Sequence, residues 1–221
     1  MPTTKAQTDE HPIIFSGWSI QRILAGDKAQ TRRVVKPQPP ESCYKAFWDT
    51  EGEIGLGLHK KDNMTLPCWD SECPYGKPGS RLWVREAFRL PEWADDIPPN
   101  EYVKDDRFVK GTPAVRFEAD GRATPFYDRV AEEGWGRKRP SIHMPRALCR
   151  LVLRVEEVCV QRVQEISEAD AVAEGVEPVT RRGTSVDTIS AFKERWNVVH
   201  GSGAWKKNPW VWVVSFSKID E

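Results

Sequence analysis

The run Trp210–Phe216, WVWVVSF, is almost unbroken in apolar character. A strand of that kind must be covered on both faces, so the chain has to supply a sheet around it. Seventeen prolines and fifteen glycines in 221 residues argue for many loops and few long helices. Shorter strand patterns stand near 13–15, 31–35, 82–88, 114–118 and 150–160. Leu82, Val84 and Glu86 alternate with Trp83, Arg85 and Ala87, as in a half-buried strand. Leu151, Leu153 and Val155 share one parity and Val158 and Val160 the other, so a bulge or turn is expected near Glu156–Glu157.

Three short helices complete the pattern. Ser19 can cap the first, whose Ile20, Ile23 and Leu24 lie on one face before Gly26. Ser167 opens the second, with Asp170 in the capping-box position, Glu174 last and Gly175 at the end. Asp187 or Thr188 caps the third, with Ile189, Phe192 and Trp196 on one side. The expected fold is α+β, mostly β: a small, mostly antiparallel barrel with short helices. Residues 1–11 are expected to be disordered, and 12–221 to form one domain with large loop insertions near 41–70 and 90–136. The second insertion is rich in Asp, Glu, Pro and Gly and reads as an excursion with a lid role.

Hydrophobic content of 39% with 30% charged residues is ordinary for a soluble globular chain. No apolar run approaches the length of a membrane span. Five cysteines, an odd number, with no leader ahead of them, point to reduced thiols in a cytoplasmic setting. A net charge of zero removes any bulk electrostatic case for nucleic-acid binding. The charge is uneven, however. Arg22, Lys28, Arg32, Arg33 and Lys36 face only Asp27 in their stretch, and a second basic stretch runs from Arg137 to Arg162. A locally basic cleft fits these sums, and so does a fold that scatters them.

Cys43, His59, Cys68 and Cys73 are the residues that can hold a structural zinc, since thiolate and imidazole suit that ion. Their spacing is not that of paired C-x2-C knuckles, and buried free cysteines are the alternative. No other cofactor is expected. His143, in RPSIHMPR, sits between prolines in a segment expected to be rigid and extended; it can serve as an acid or base or simply bond backbone. Trp83, Arg85 and Glu86 lie where a strand end can face a cleft, an exposed ion pair being the plainer reading. Lys28, Arg32, Arg33 and Arg146 are candidate phosphate contacts, with a tryptophan to stack on a base.

Taken together, ILAGDKAQTRRVVKP resembles the signature of ASCH domains, a group of small β-barrels related to PUA domains. CPYGKPG, RLWVRE, RPSIHMPR, ISEADAVAEGV and NPWVWVVSF follow in that order, and the set is similar to phage- and prophage-type ASCH-like proteins. The resemblance runs from Pro12 to Phe216, with Glu41–Asp70 and Leu90–Glu133 specific to this chain. Ser80 stands where the family usually has an acidic residue. The resemblance implies a PUA-like barrel with helices at its mouth, the Lys28–Arg33 loop lining a groove. Over Ile23–Arg33 and Ile166–Glu174 the chain is also similar to small ASCH enzymes that deacetylate N4-acetylcytidine.

The lysine, threonine and glutamate of those enzymes match Lys28, Thr31 and Glu174 here. What this implies is a metal-independent amidohydrolase acting on N4-acylcytidine, as a nucleoside or in RNA. The residues suit the chemistry: Thr31 as nucleophile, Lys28 as its base if desolvated, Glu174 orienting the lysine or moving a proton. The alternative is a binding module for RNA or modified DNA, in which Lys28 meets phosphate and Glu174 is its salt-bridge partner. Expected partners are therefore a nucleoside or a single-stranded nucleic acid, and no membrane.

Overall fold

A computed structural model describes residues 9–40, 47–48, 54–59, 65–70, 72–104, 113–124, 134–181 and 184–219 of the chain. Of residues 1–11, expected to be disordered, 1–8 lie outside them, as does Cys43, while Glu10 and His11 belong to a strand and correct that expectation. Among the described residues twelve strands are formed: β1 (Glu10–Ile14), β2 (Gln30–Val34), β3 (Phe47–Trp48), β4 (Ile54–His59), β5 (Thr65–Asp70), β6 (Arg81–Arg85), β7 (Phe88–Arg89), β8 (Arg116–Phe117), β9 (Val152–Arg162), β10 (Val179–Arg181), β11 (Thr184–Val186) and β12 (Trp210–Ile219). The α-helices among the described residues are α1 (Gly17–Ala25), α2 (Pro99–Tyr102), α3 (Glu168–Ala173) and α4 (Thr188–His200). The class is α+β, as the strand and helix patterns required.

The principal hydrogen-bonded order is β1-β6-β9-β12-β2. Among the described residues that order is open, with β1 at one end and β2 at the other, rather than a closed ring. β12 pairs antiparallel with β2, Trp212 opposite Arg33 and Val214 opposite Thr31. β1 and β6 instead run parallel, Ile13 opposite Val84 and Ile14 opposite Arg85. A parallel pair needs a long crossover, and the 66-residue interval from Ile14 to Arg81, which holds α1 and β2, supplies one. Small sheets β3-β4-β5, β10-β11 and β7-β8 stand apart from this order.

The chain divides into two compact units: one of Met1–Asp9, Gly26–Ser80 and Arg154–Ser217, the other of Glu10–Ala25, Arg81–Leu153 and Lys218–Glu221. In the first, β12 is the central strand that its composition demands. Within Trp210–Phe216 every residue is buried except Ser215, which is partly open, and the strand becomes exposed at Ser217 and Lys218. β9 is one continuous strand whose buried parity changes at Glu156–Glu157, both exposed, so Val155 and Val158 are inward together. Ser167 caps α3 in a capping box with Asp170, and Asp187 accepts Ser190 N–H to cap α4.

The second unit corrects several readings. α1 begins at Gly17, not beyond Ser19: Ser16 Oγ accepts Ser19 N–H at 3.3 Å and is therefore the capping side chain. The strand pattern 82–88 breaks in two, because Glu86 turns into the interior and Phe88 joins Phe117 and Arg139 instead. The Pro-bracketed segment is not extended throughout, since Ser141–His143 and Arg146–Leu148 are 3-10 turns following extended Pro140 and Pro145. The described parts of 90–136 do not hang loose as an excursion. Leu90, Ala94, Tyr102 and Val115 join Phe88, Phe117, Met144 and Leu148 in one buried cluster, and Tyr102 Oη donates to Ala114 O at 2.8 Å.

Candidate active site

The candidate site lies within the first unit, at the C-terminus of α3. Ser167 and Asp170 start that helix, and Gly175, at φ 83°, ends it in the left-handed region that glycine enters freely. Helix ends expose carbonyls and carry partial negative charge, so Glu174 at the C-cap is unfavourable by itself. The turn after Gly26 answers it. Ala29 N–H donates to Ala173 O at 2.8 Å, which presses the turn against the helix end. Lys28 Nζ donates to Glu174 O at 2.8 Å and meets Glu174 Oε2 at 2.5 Å. One ammonium thus neutralises both the carboxylate and the helix terminus.

Both partners are deeply buried, Lys28 at 5% exposure and Glu174 at 7%. Burial drives the Lys28 pKa down from the usual lysine value; Glu174 opposes the shift, while the charges of Arg33 and Arg195 add to it. The outcome is an amine held closer to its neutral form than an exposed lysine would be.

Arg32 is the second cation on Glu174. It is 4% exposed, with Nη1 3.5 Å from Glu174 Oε1 and Nη2 3.2 Å from Asp170 Oδ2. Gln30 Oε1 accepts from its Nη1 at 2.5 Å. The Gln161 amide, turned so that its oxygen faces the guanidinium, accepts from Nη2 at 2.8 Å. The Phe192 ring lies 5.9 Å below. A guanidinium so engaged orients the α3 terminus rather than reaching out to a phosphate.

Thr31, between Lys28 and Arg32, is buried within β2 opposite Val214. It is a strand residue, not part of a tight loop, and among the described residues no hydrogen bond joins its hydroxyl to Lys28 or Glu174. Arg33 is pushed down by burial and feels Tyr75 and Glu174. The Tyr75 phenol is in turn raised by burial, which Arg33 partly offsets. Sequence reasoning missed Asp170 as an ion-pair partner, and missed Gln30, Gln161 and Tyr75 altogether. Asp170 carried a visible signal, but only for its capping role.

The other candidates lie apart from this cluster in the chain. Glu86, 1% exposed, accepts Arg150 Nε and Nη2 at 2.8 Å each, so its partner is not Arg85. Arg150 also meets Asp120 Oδ2 at 2.9 Å and lies 3.9 Å over the Phe117 ring. Burial raises the Glu86 pKa against the pull of Arg150. Trp83 and Arg85 are half-buried on the opposite face of β6, with the Arg85 guanidinium 4.7 Å over the Trp83 ring. His143 is exposed. Arg146 donates to both Glu10 carboxylate oxygens, at 3.0 and 3.2 Å.

His59 and Cys68 fall in β4 and β5, but their side chains, like Cys43, lie outside the described residues. The Cys73 thiol is free, and burial pushes its pKa up to about 11, which holds it protonated. Among the described residues no three His, Cys, Asp or Glu side chains group as metal ligands would. No family model matches the chain, and neither a curated protein nor a solved structure matches it.

Proposed function

We propose that the chain is an ASCH-like amidohydrolase, built on a PUA-related barrel, that removes the acyl group from an N4-acylated cytidine. The observation that carries this reading is the buried Lys28–Glu174 pair, an amine of lowered basicity held at 2.5 Å by a carboxylate, with buried Thr31 three residues along. Lysines shifted in this way serve as general bases.

In the proposed reaction Thr31 Oγ adds to the amide carbon, and its proton passes to neutral Lys28. The C–N bond then breaks as Lys28 returns the proton to the cytosine amino group. Water cleaves the threonyl ester by the same proton route, releasing the carboxylic acid and the free hydroxyl. Glu174 holds the amine in place and stabilises it while it carries the proton. No metal takes part in this scheme.

A binding module is the second reading, favoured by the lack of a hydrogen bond between the Thr31 hydroxyl and the Lys28–Glu174 pair among the described residues. Incubation with N4-acetylcytidine, with cytidine release followed by chromatography, separates the two. Lys28→Ala and Thr31→Ala are each expected to lose several orders of magnitude in rate, against about tenfold to a hundredfold for a lost binding contact. Near-full activity in Thr31→Ala removes the nucleophile, and no turnover by the folded wild type, on nucleoside or oligonucleotide, overturns the hydrolytic reading.

A further inference from the structure

The buried ion pair of the candidate site has a third member. Glu174 Oε2 meets Lys28 Nζ at 2.5 Å, and its Oε1, buried and without a hydrogen bond, lies 3.5 Å from Arg32 Nη1. The Arg32 side chain is 1% exposed and is held from four elements of the first unit. From β2, Gln30 Oε1 accepts from its Nη1 at 2.5 Å; from β9, the turned Gln161 amide accepts from its Nη2 at 2.8 Å. From α3, Asp170 Oδ2 lies 3.2 Å from Nη2; from α4, the Phe192 ring centre lies 5.9 Å from the guanidinium carbon. A guanidinium fixed in this way stays on Glu174 when the charge beside it changes.

The interior charges do not balance. Lys28 and Arg32 are two buried cations on one buried carboxylate, whereas the Asp170 side chain is 32% exposed and partly screened by water. Arg33 and Arg195 also face Lys28 and repel its charge. Tyr75, beside Arg33, and Cys159, beside Arg32, are further titratable groups around the cluster. A guanidinium does not give up its proton in a protein, whereas a buried ammonium does. The cost of holding two cations on one anion therefore falls on Lys28.

We propose that Arg32 is a positioning residue for Lys28: it remains on Glu174 as a permanent counter-cation, and Lys28 is thereby left as the neutral base. With Arg32 in place, a neutral lysine does not leave Glu174 as an uncompensated buried charge. Loss of Arg32 leaves Lys28 to balance Glu174, and that holds the proton on the amine. A role in turnover rests on the hydrolytic reading, whereas control of the Lys28 proton does not. If Arg32 served only to fasten β2 to α3, its replacement would cost stability and leave that proton where it is.

The test follows the Lys28 proton directly, by an NMR pH titration of the full chain with its lysines 13C-labelled at Cε. The Lys28 signal is assigned by its absence in Lys28→Met. Arg32→Gln is expected to move the Lys28 titration to higher pH, and Arg32→Lys, which keeps a cation there, to restore much of the wild-type curve. In parallel, cytidine release from N4-acetylcytidine by Arg32→Gln is expected to fall about tenfold in kcat at neutral pH, with KM unchanged, and to recover as the pH rises. Circular dichroism and the melting temperature establish that each variant is folded. If Arg32→Gln is not, Asp170→Asn releases Arg32 from its other carboxylate and is expected to move the Lys28 titration to lower pH. An unmoved Lys28 titration in folded Arg32→Gln, or in Asp170→Asn where that variant replaces it, overturns the proposal. So does a kcat that falls equally at every pH, which marks Arg32 as a fastening of β2 to α3. A wild type without turnover whose Lys28 titration still moves in Arg32→Gln overturns the hydrolytic reading and supports the assignment of Arg32.

Discussion

Lys28 and Glu174 interact at 2.5 Å at exposures of 5% and 7%, and that burial decides how their replacement will behave. Removing one partner of a buried ion pair leaves the other charge uncompensated, at a cost of about 3–5 kcal/mol. Lys28→Met is expected to lose stability in that range by urea denaturation, softened by Arg32, which stays near Glu174. The double variant Lys28→Met/Glu174→Leu should recover most of the loss; a double variant as unstable as the sum of the singles would contradict the pairing. The pH dependence has a definite sign. The Lys28 pKa is lowered on folding, so between the folded value and the unfolded value near 10.4 the unfolded chain binds more protons. The Lys28 contribution to stability therefore rises with pH across that window, and the gap between wild type and Lys28→Met should widen there.

Among the elements, α3 matters most because its six residues carry the site on their last turn. A helix so short depends on its caps. Ser167→Ala removes the side chain that accepts Asp170 N–H at 3.1 Å and is expected to cost about 1 kcal/mol by thermal denaturation. It should leave Asp170 against Arg32, because the Ser167 N–H that the Asp170 carboxylate accepts at 3.3 Å is backbone and survives the substitution. The strand β6 behaves in a comparable way. Its end is fixed by Glu86 on Arg150, and Arg150→Met is expected to cost about 3–5 kcal/mol at neutral pH. Burial has already raised the Glu86 pKa, and loss of Arg150 raises it further. The folded state then takes up a proton more readily than the unfolded one, so the deficit of Arg150→Met should shrink as the pH falls. A deficit independent of pH would mean that the pair is not what Arg150 supports.

At the scale of the whole molecule, the second unit holds a buried apolar cluster around Tyr102 to which the described parts of 90–136 contribute Leu90, Ala94, Tyr102, Val115 and Phe117. Tyr102→Ala is expected to cost about 3–5 kcal/mol and Tyr102→Phe about 1–3 kcal/mol, the second reflecting Ala114 O left without its donor. A Tyr102→Ala variant with wild-type stability would show that this segment does not contribute to the fold. Cys73, Cys149 and Cys159 are free. Thiol titration under denaturing, non-reducing conditions should count all five cysteines, and a count of three would reveal a disulfide between Cys43 and Cys68. No helix among the described residues is long and apolar enough to cross a membrane.

By itself the sequence determined the features whose causes lie within a few residues. The central strand Trp210–Phe216 was legible because burial on both faces demands unbroken apolar residues. The α3 capping box, the Asp187 cap and the parity change at Glu156–Glu157 were legible because a cap or a pleat is decided by neighbours two to four positions away. The carboxylate of Glu174 at a helix end was also visible as a misplaced charge, and its pairing with Lys28 came through the resemblance. Tertiary structure alone decided the rest. Lys28 and Glu174 are 146 positions apart, and Glu86 chooses Arg150 over the adjacent Arg85. Arg32, read as a phosphate contact, is enclosed by Gln30, Gln161, Asp170 and Glu174. A charge does not carry its partner in its own neighbourhood: strand order and helix docking bring the partner to it, and burial then makes the pairing obligatory.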